Sequence, residues 1–167
     1  MKKLLFVLVL SICGAVSVSA QKADDAKAAL TVVNQLFAEM AAANPAGILA
    51  LGTPENQLVA LRRMKDGKSR IDVINGGALS KFFTDKAVVL KEEMYDPKVE
   101  VSGDWAMVWG RYVFFVGNKL SHCGINQFNL VRTEAGWKIA NGASTIDPGD
   151  CTGKEKAMKP TAKDAKP

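Results

Sequence analysis

The stretch that decides the fold is Trp105–Asp147, WAMVWGRYVFFVGNKLSHCGINQFNLVRTEAGWKIANGASTID. Trp105 to Val116 is a run of Val, Phe, Trp and Tyr, residues that suit a pleated, half-buried surface. Gly117-Asn118 is a two-residue hairpin signal. Leu120 to Thr133 reads as the next strand and Glu134-Ala135-Gly136 as a turn. Trp137 to Asp147 is the last strand, stopped by Asp147-Pro148-Gly149-Asp150.

Upstream of this meander, Val99 and Val101 alternate with polar residues before the turn Ser102-Gly103-Asp104. Further back the period changes. Ala26, Leu30, Val33, Phe37 and Met40 recur at three and four, the stripe of an amphipathic helix over 23–43 that Asn44-Pro45 stops. Pro45 to Leu51 suits a short second helix. Gln57 to Arg63 and Ser69 to Asn75 are strand candidates around the turn Lys65-Asp66-Gly67-Lys68. Leu79, Phe82, Phe83, Lys86, Ala87 and Leu90 predict a helix of about three turns. Helices followed by a strand meander make an α+β pattern: a curved antiparallel sheet with N-terminal helices on its concave face.

The chain has 167 residues and a formal charge of +5. Its 48% hydrophobic and 23% charged residues fit one globular domain with a core. Residues 1–20 read as a signal peptide. Met1-Lys2-Lys3 is the positive start, Leu4 to Cys13 the apolar run, and Val18-Ser19-Ala20 a small-residue cleavage site before Gln21. An exported protein, periplasmic or secreted, with no membrane span after cleavage is the expectation. Lys2 and Lys3 leave with the signal, and the tail 152–167 carries a further net +3, so residues 21–151 are neutral. A neutral body argues against nucleic acid as a partner, which needs Lys and Arg clustered on the domain. The Lys-, Ala- and Pro-rich tail reads as disordered.

Export makes the remaining pair, Cys123 and Cys151, a disulfide candidate. The alternative is two separate thiols. One His and no close Cys pair speak against a metal site. No Gly-rich phosphate loop opens a helix, and no cofactor is expected.

Several motifs carry a family resemblance. They are Tyr95-Asp96-Pro97, Ser102-Gly103-Asp104-Trp105-Ala106-Met107-Val108, Gly110-Arg111-Tyr112, Ser121-His122-Cys123-Gly124, Phe128-Asn129-Leu130-Val131-Arg132, Gly136-Trp137-Lys138-Ile139-Ala140 and the late Cys151. On these the chain resembles the nuclear-transport-factor-2-like superfamily, the cone-shaped α+β fold of polyketide-cyclase-like (SnoaL-like), ketosteroid-isomerase-like and lumazine-binding-like proteins. It is most similar to exported bacterial members without assigned activity. The resemblance implies a pocket inside the sheet and a homodimer through the sheet's outer face. It names no chemistry, because this fold hosts enzymes and binding modules alike.

Register assigns the faces. A Gly117-Asn118 turn pairs Val116 with Lys119. It thereby sets Val113 opposite His122, Arg111 opposite Gly124 and Trp109 opposite Asn126. Pairing Arg132 with Trp137 sets Phe128 opposite Asn141, Gly124 opposite Thr145 and His122 opposite Asp147. Directly opposed residues share a face. The expected concave wall therefore holds His122 and Asp147 as an acid–base pair, with Trp109, Arg111, Asn126, Asn141 and Thr145 as ligand contacts. Glu92, Glu93 and Tyr95 are secondary candidates at the pocket mouth.

Three functions fit these readings. The first is an exported small-molecule-binding protein. The second is a cofactor-independent isomerase, dehydratase or cyclase using His122 as general acid or base. The third is a structural or partner-binding dimer with a filled cavity.

Overall fold

The structure, a computed structural model, describes residues 12–64 and 66–160. The element order is α1 (Ile12–Ala41), α2 (Pro45–Leu51), β1 (Gly52–Arg63), β2 (Ser69–Asn75), α3 (Gly76–Lys81), β3 (Leu90–Ser102), β4 (Trp105–Val116), β5 (Lys119–Thr133), β6 (Gly136–Ile146) and α4 (Gly153–Lys156). The strands form one curved, unclosed sheet in the order β2-β1-β6-β5-β4-β3. All pairs are antiparallel except β1 with β6, which the intervening chain joins in parallel. Most of the signal-peptide reading lies outside the described residues. No helix among the described residues is long and apolar enough to cross a membrane.

α1 buries Ala29, Val33, Leu36, Phe37 and Met40 on one stripe against the concave face, where they meet Val108, Phe128, Leu130, Trp137 and Ile139. Phe37 and Phe128 pack edge to face, with ring centroids 5.9 Å apart. Arg132 pins the helix by an ion pair with Asp25 at 2.7 Å, while its guanidinium lies over the Trp137 ring. Ala43, at φ 50°, ends the run, and the Asn44 side chain caps α2 by accepting from the Gly47 N–H. The helix expected from Leu79 to Leu90 is shorter. Only Gly76–Lys81 is helical, and β3 already begins at Leu90. The spacing of Leu79, Phe82 and Phe83 suits a helix, but these side chains turn into the open end of the cone instead.

Three single-residue bulges curve the sheet. Tyr95 pairs with Arg111 and Lys98 with Trp109, so Asp96-Pro97 faces Gly110 alone. Asp96 takes φ 49°, and a Cβ on Gly110 would stand 3.1 Å from the Pro97 Cα. The β4–β5 hairpin starts in the expected register at Val116–Lys119, but Ser121 is an extra residue and Phe114, not Val113, faces His122. The β5–β6 hairpin also starts as expected, with Arg132 opposite Trp137. Ala140 is then an extra residue, so Asn129, not Phe128, faces Asn141. Each bulge exchanges the faces of everything beyond it.

Cys123 and Cys151 are joined in a disulfide, with Cα atoms 5.1 Å apart. The bridge ties the end of the chain to the convex face of β4 and β5, beside buried Val113 and Phe115. Of the tail expected to be disordered, residues 152–160 are described, and they include the short helix α4. Thr152 and Glu155 form a capping box around α4, and Glu155 is fully buried. Removing the bridge with Cys123→Ala/Cys151→Ala should lower the unfolding free energy by about 3.5 kcal/mol in the chain-entropy view. Urea titration checks this; a loss no larger than that of an ordinary surface substitution would mean the bridge constrains little.

Candidate functional site

A cavity of about 310 Å³ opens inside the cone. Its walls are Leu36, Phe37 and Met40 of α1, Ile48 of α2, Leu58 and Ala60 of β1, and the concave side chains of β3 to β6. The surface is largely apolar. A few polar groups reach into it: Asn56, Arg62, Glu92, Tyr112, His122, Asn126 and Ser144.

The three central strands place these groups in rows. Glu92, Phe114 and His122 lie side by side across β3, β4 and β5. Tyr112 faces Gly124, and Asn126 faces Ser144. Asn126, almost fully buried, donates its amide to the Glu92 carboxyl in a hydrogen bond. Part of Glu92's surface remains open, but its carboxyl lies deep among protein atoms. Burial pushes its pKa up to about 7, against the Asn126 hydrogen bond that lowers it. Tyr112 is 2% exposed and donates its hydroxyl to the Thr145 carbonyl at 2.8 Å. Burial and the nearby Glu92 charge raise its pKa far above the ordinary phenol value, so it stays neutral.

His122 stacks on Phe114, with centroids 4.7 Å apart and planes 16° apart, and meets Tyr112 edge-on. Burial, then the positive Arg62 nearby, push its pKa down to about 4. It is therefore a neutral imidazole at physiological pH, 3.1 Å from the Ser121 hydroxyl through Nδ1.

Of the residues singled out from sequence, His122 and Asn126 reach the cavity. The other five lie on the convex side, because of the bulges at Ser121 and Ala140. Trp109 is 41% exposed there, opposite Gln127. Arg111 is held by Glu155 at 2.7 Å, Asp150 at 3.0 Å and the Tyr95 hydroxyl at 2.9 Å. Asn141 accepts from Asn129 at 2.7 Å. Thr145 accepts from the Ile125 N–H at 2.9 Å, closing a gap in the β5–β6 ladder. Asp147 bridges to Cys123, not His122, and faces Arg63 at 3.7 Å. The His122–Asp147 pair does not form.

Sequence reasoning gave Glu92 only a secondary place and passed over Tyr112, Arg62 and Ser144. Glu92 two residues after an apolar Leu90, on a strand of alternating character, was the available signal; reading Leu79–Leu90 as helix hid it.

Glu92 and His122 oppose each other in pH dependence. The folded pKa of Glu92 lies above its unfolded value, so the fold loses stability as pH rises from about 4.5 to 7, on the order of 3 kcal/mol. The folded pKa of His122 lies below its unfolded value, so the fold loses stability as pH falls from about 6.5 to 4. Thermal melts across pH 4 to 8 should show Glu92→Gln gaining stability at pH 8 and little at pH 4. That variant should also expose a steeper acid slope than the wild type. Parallel profiles for the two proteins would mean that Glu92 ionises normally.

No family model matches the chain, and no curated protein matches it. Solved structures do. An NTF2-like protein with a cystatin-like fold from Novosphingobium aromaticivorans aligns over 85% of this chain and 93% of its own, with 12% identity and a TM-score of 0.64. A provisionally assigned scytalone dehydratase from the same bacterium aligns over 77% and 87%, with 10% identity and a TM-score of 0.61. A provisionally assigned dehydratase of the NTF2-like family from Streptomyces avermitilis aligns over 74% and 96%, with 14% identity and a TM-score of 0.54. The chain has the nuclear-transport-factor-2-like fold; at these identities the likeness extends to the fold alone.

Proposed function

We propose that this nuclear-transport-factor-2-like cone takes up a small, largely apolar molecule, with Glu92 and Asn126 as its inner polar anchor. The observation that carries the reading is the open cavity of about 310 Å³ with a buried carboxyl–amide pair on its wall. That size suits a small organic ligand, and an apolar wall with a few convergent polar groups is the usual make-up of a ligand pocket. Glu155 is a buried acid paired by Arg111, whereas Glu92 costs stability when it ionises, and a purely structural dimer has no use for that.

The neutral fluorophore N-phenyl-1-naphthylamine tests the cavity. Wild type should give saturable emission, and Ser144→Phe, which puts a ring into the space, should bind at least tenfold more weakly while melting cooperatively. No saturable signal from wild type would sink the reading.

A second reading is cofactor-independent chemistry, and Glu92 favours it. A carboxyl with a pKa near 7 can take and return a proton at physiological pH. The dehydratase assignments of fold neighbours are compatible with it. His122 is the weaker candidate, because its lowered pKa makes it a poor base and no carboxylate orients it. On any turned-over substrate, Glu92→Gln should cost about 10²–10⁴ in kcat and leave probe binding in place.

Export and dimerisation complete the proposal. The disulfide fits an oxidising compartment. The convex face exposes Ile71 (68%) and Val73 (63%) beside Val59 and Leu61, an apolar patch that suits a second copy. Val108 is not part of that patch; it is fully buried in the core. Protein isolated from the cell envelope should have the mass of a chain starting at Gln21, no free thiol, and twice that mass by light scattering. A retained leader or a monomer would remove the corresponding part.

A further inference from the structure

The cone cavity does not end at His122. A more open cleft of about 500 Å³ continues from it, sharing Arg62, His122 and Ile146 with the cavity and adding Arg63 and Ser121. The apolar interior thus opens onto a mouth where Arg62 and Arg63 stand among Met64, Ile146 and Pro148.

The charges at this mouth do not cancel. Asp72 serves two arginines at once: Arg62 Nε at 3.4 Å and Arg70 Nε at 2.8 Å. One carboxylate against two guanidiniums leaves one positive charge. Arg63 has its nearest carboxylate, Asp147, at 3.7 Å, and that carboxylate also accepts from the Gly149 N–H at 2.8 Å. Asp66 at the rim is matched by Lys68 at 3.6 Å. The Arg62 and Arg63 side chains keep 39% and 51% of their surface open, so each has donors within reach of a ligand. The mouth's positive potential is felt inside, where Arg62 helps to hold His122 neutral. At the inner end sits Glu92, whose ionisation would repel an anion, so a charged head is favoured only at the mouth.

We infer that the ligand of this cavity is an amphipathic anion: an apolar body in the cone and a compact oxyanion, such as a carboxylate or sulfonate, at Arg62 and Arg63. This rests on the cavity being a ligand site, as proposed above, and adds the charge and orientation of what it takes. A guanidinium presents a planar fork of donors that matches such a head. The neutral Ser121 and His122 can supply hydrogen bonds beside it.

Two matched probes separate this inference from the reading it rests on. N-phenyl-1-naphthylamine and 8-anilinonaphthalene-1-sulfonate share one ring system and differ by the sulfonate. Wild type should bind the sulfonate about tenfold more tightly, with a preference that shrinks as salt is added, since partly exposed charges are screened. Arg62→Gln should abolish the preference, the sulfonate's affinity falling to that of the neutral probe measured on the same variant. Asp72→Asn, which releases Arg62 and Arg70 from their shared carboxylate, should tighten sulfonate binding several-fold at one site per chain while the variant still melts cooperatively, which separates the gain from the dye binding of a loosened fold. Equal affinity of wild type for both probes, or an unchanged preference in both variants, would overturn the anionic assignment while leaving the pocket standing. Failure of both probes to bind would remove the pocket itself.

Discussion

A strand that gains one residue presents its other face from that point on. In this protein that constraint decides which side chains see the cavity. Ser121 and Ala140 are the extra residues of β5 and β6, and Asp96-Pro97 bulges β3 against Gly110. Together they bend one six-stranded sheet far enough for α1 to bury its stripe inside it. The bend also brings Glu92 on β3 within hydrogen-bonding reach of Asn126 on β5, two strands away. Without the shift at Ser121, Arg111 and Trp109 would line the cone, and Tyr112 and Phe114 would face outward.

Two ionisable groups on the cavity wall are shifted towards their uncharged forms. Glu92 is driven towards its acid form and His122 towards its free base, both chiefly by burial. The Asn126 amide favours the charged form of Glu92, but burial outweighs it; the imidazole stacks on Phe114 and meets Tyr112 edge to face. A carboxyl and an imidazole in one cavity invite the picture of an ion pair. Burial instead shifts both groups towards their uncharged forms.

The convex side handles charge in the opposite way. Arg111 is held by Glu155, Asp150 and Tyr95, and Glu155 is buried in the turn that Thr152 caps. The Cys123–Cys151 bridge holds that turn in place. A buried acid with three donors from Arg111 and the Thr152 N–H is satisfied in a way that Glu92 is not. This contrast separates a structural acid from a candidate functional one.

Composition, periodicity and turn chemistry were enough to read the α+β class, the α1 stripe from Ala26 to Met40, both hairpin turns and the Cys123–Cys151 pairing. These depend on local sequence or on counting. They also placed His122 and Asn126 on the inner wall, because both lie beyond the first bulge on the strand whose core-facing residues, Phe128 and Leu130, are plain. Trp109, Arg111, Asn141, Thr145 and Asp147 went to the wrong side because both faces of β4, β5 and β6 carry apolar residues. Alternation then gives no sign of a single added residue, and register carried from a turn fails at the first bulge. Whether Glu92 is buried, and the resulting pKa near 7, depend on side chains of α1, β4 and β5 that meet only when the sheet curls. Local sequence sets the strands and their turns, but only the closed cone sets the dielectric around a carboxyl.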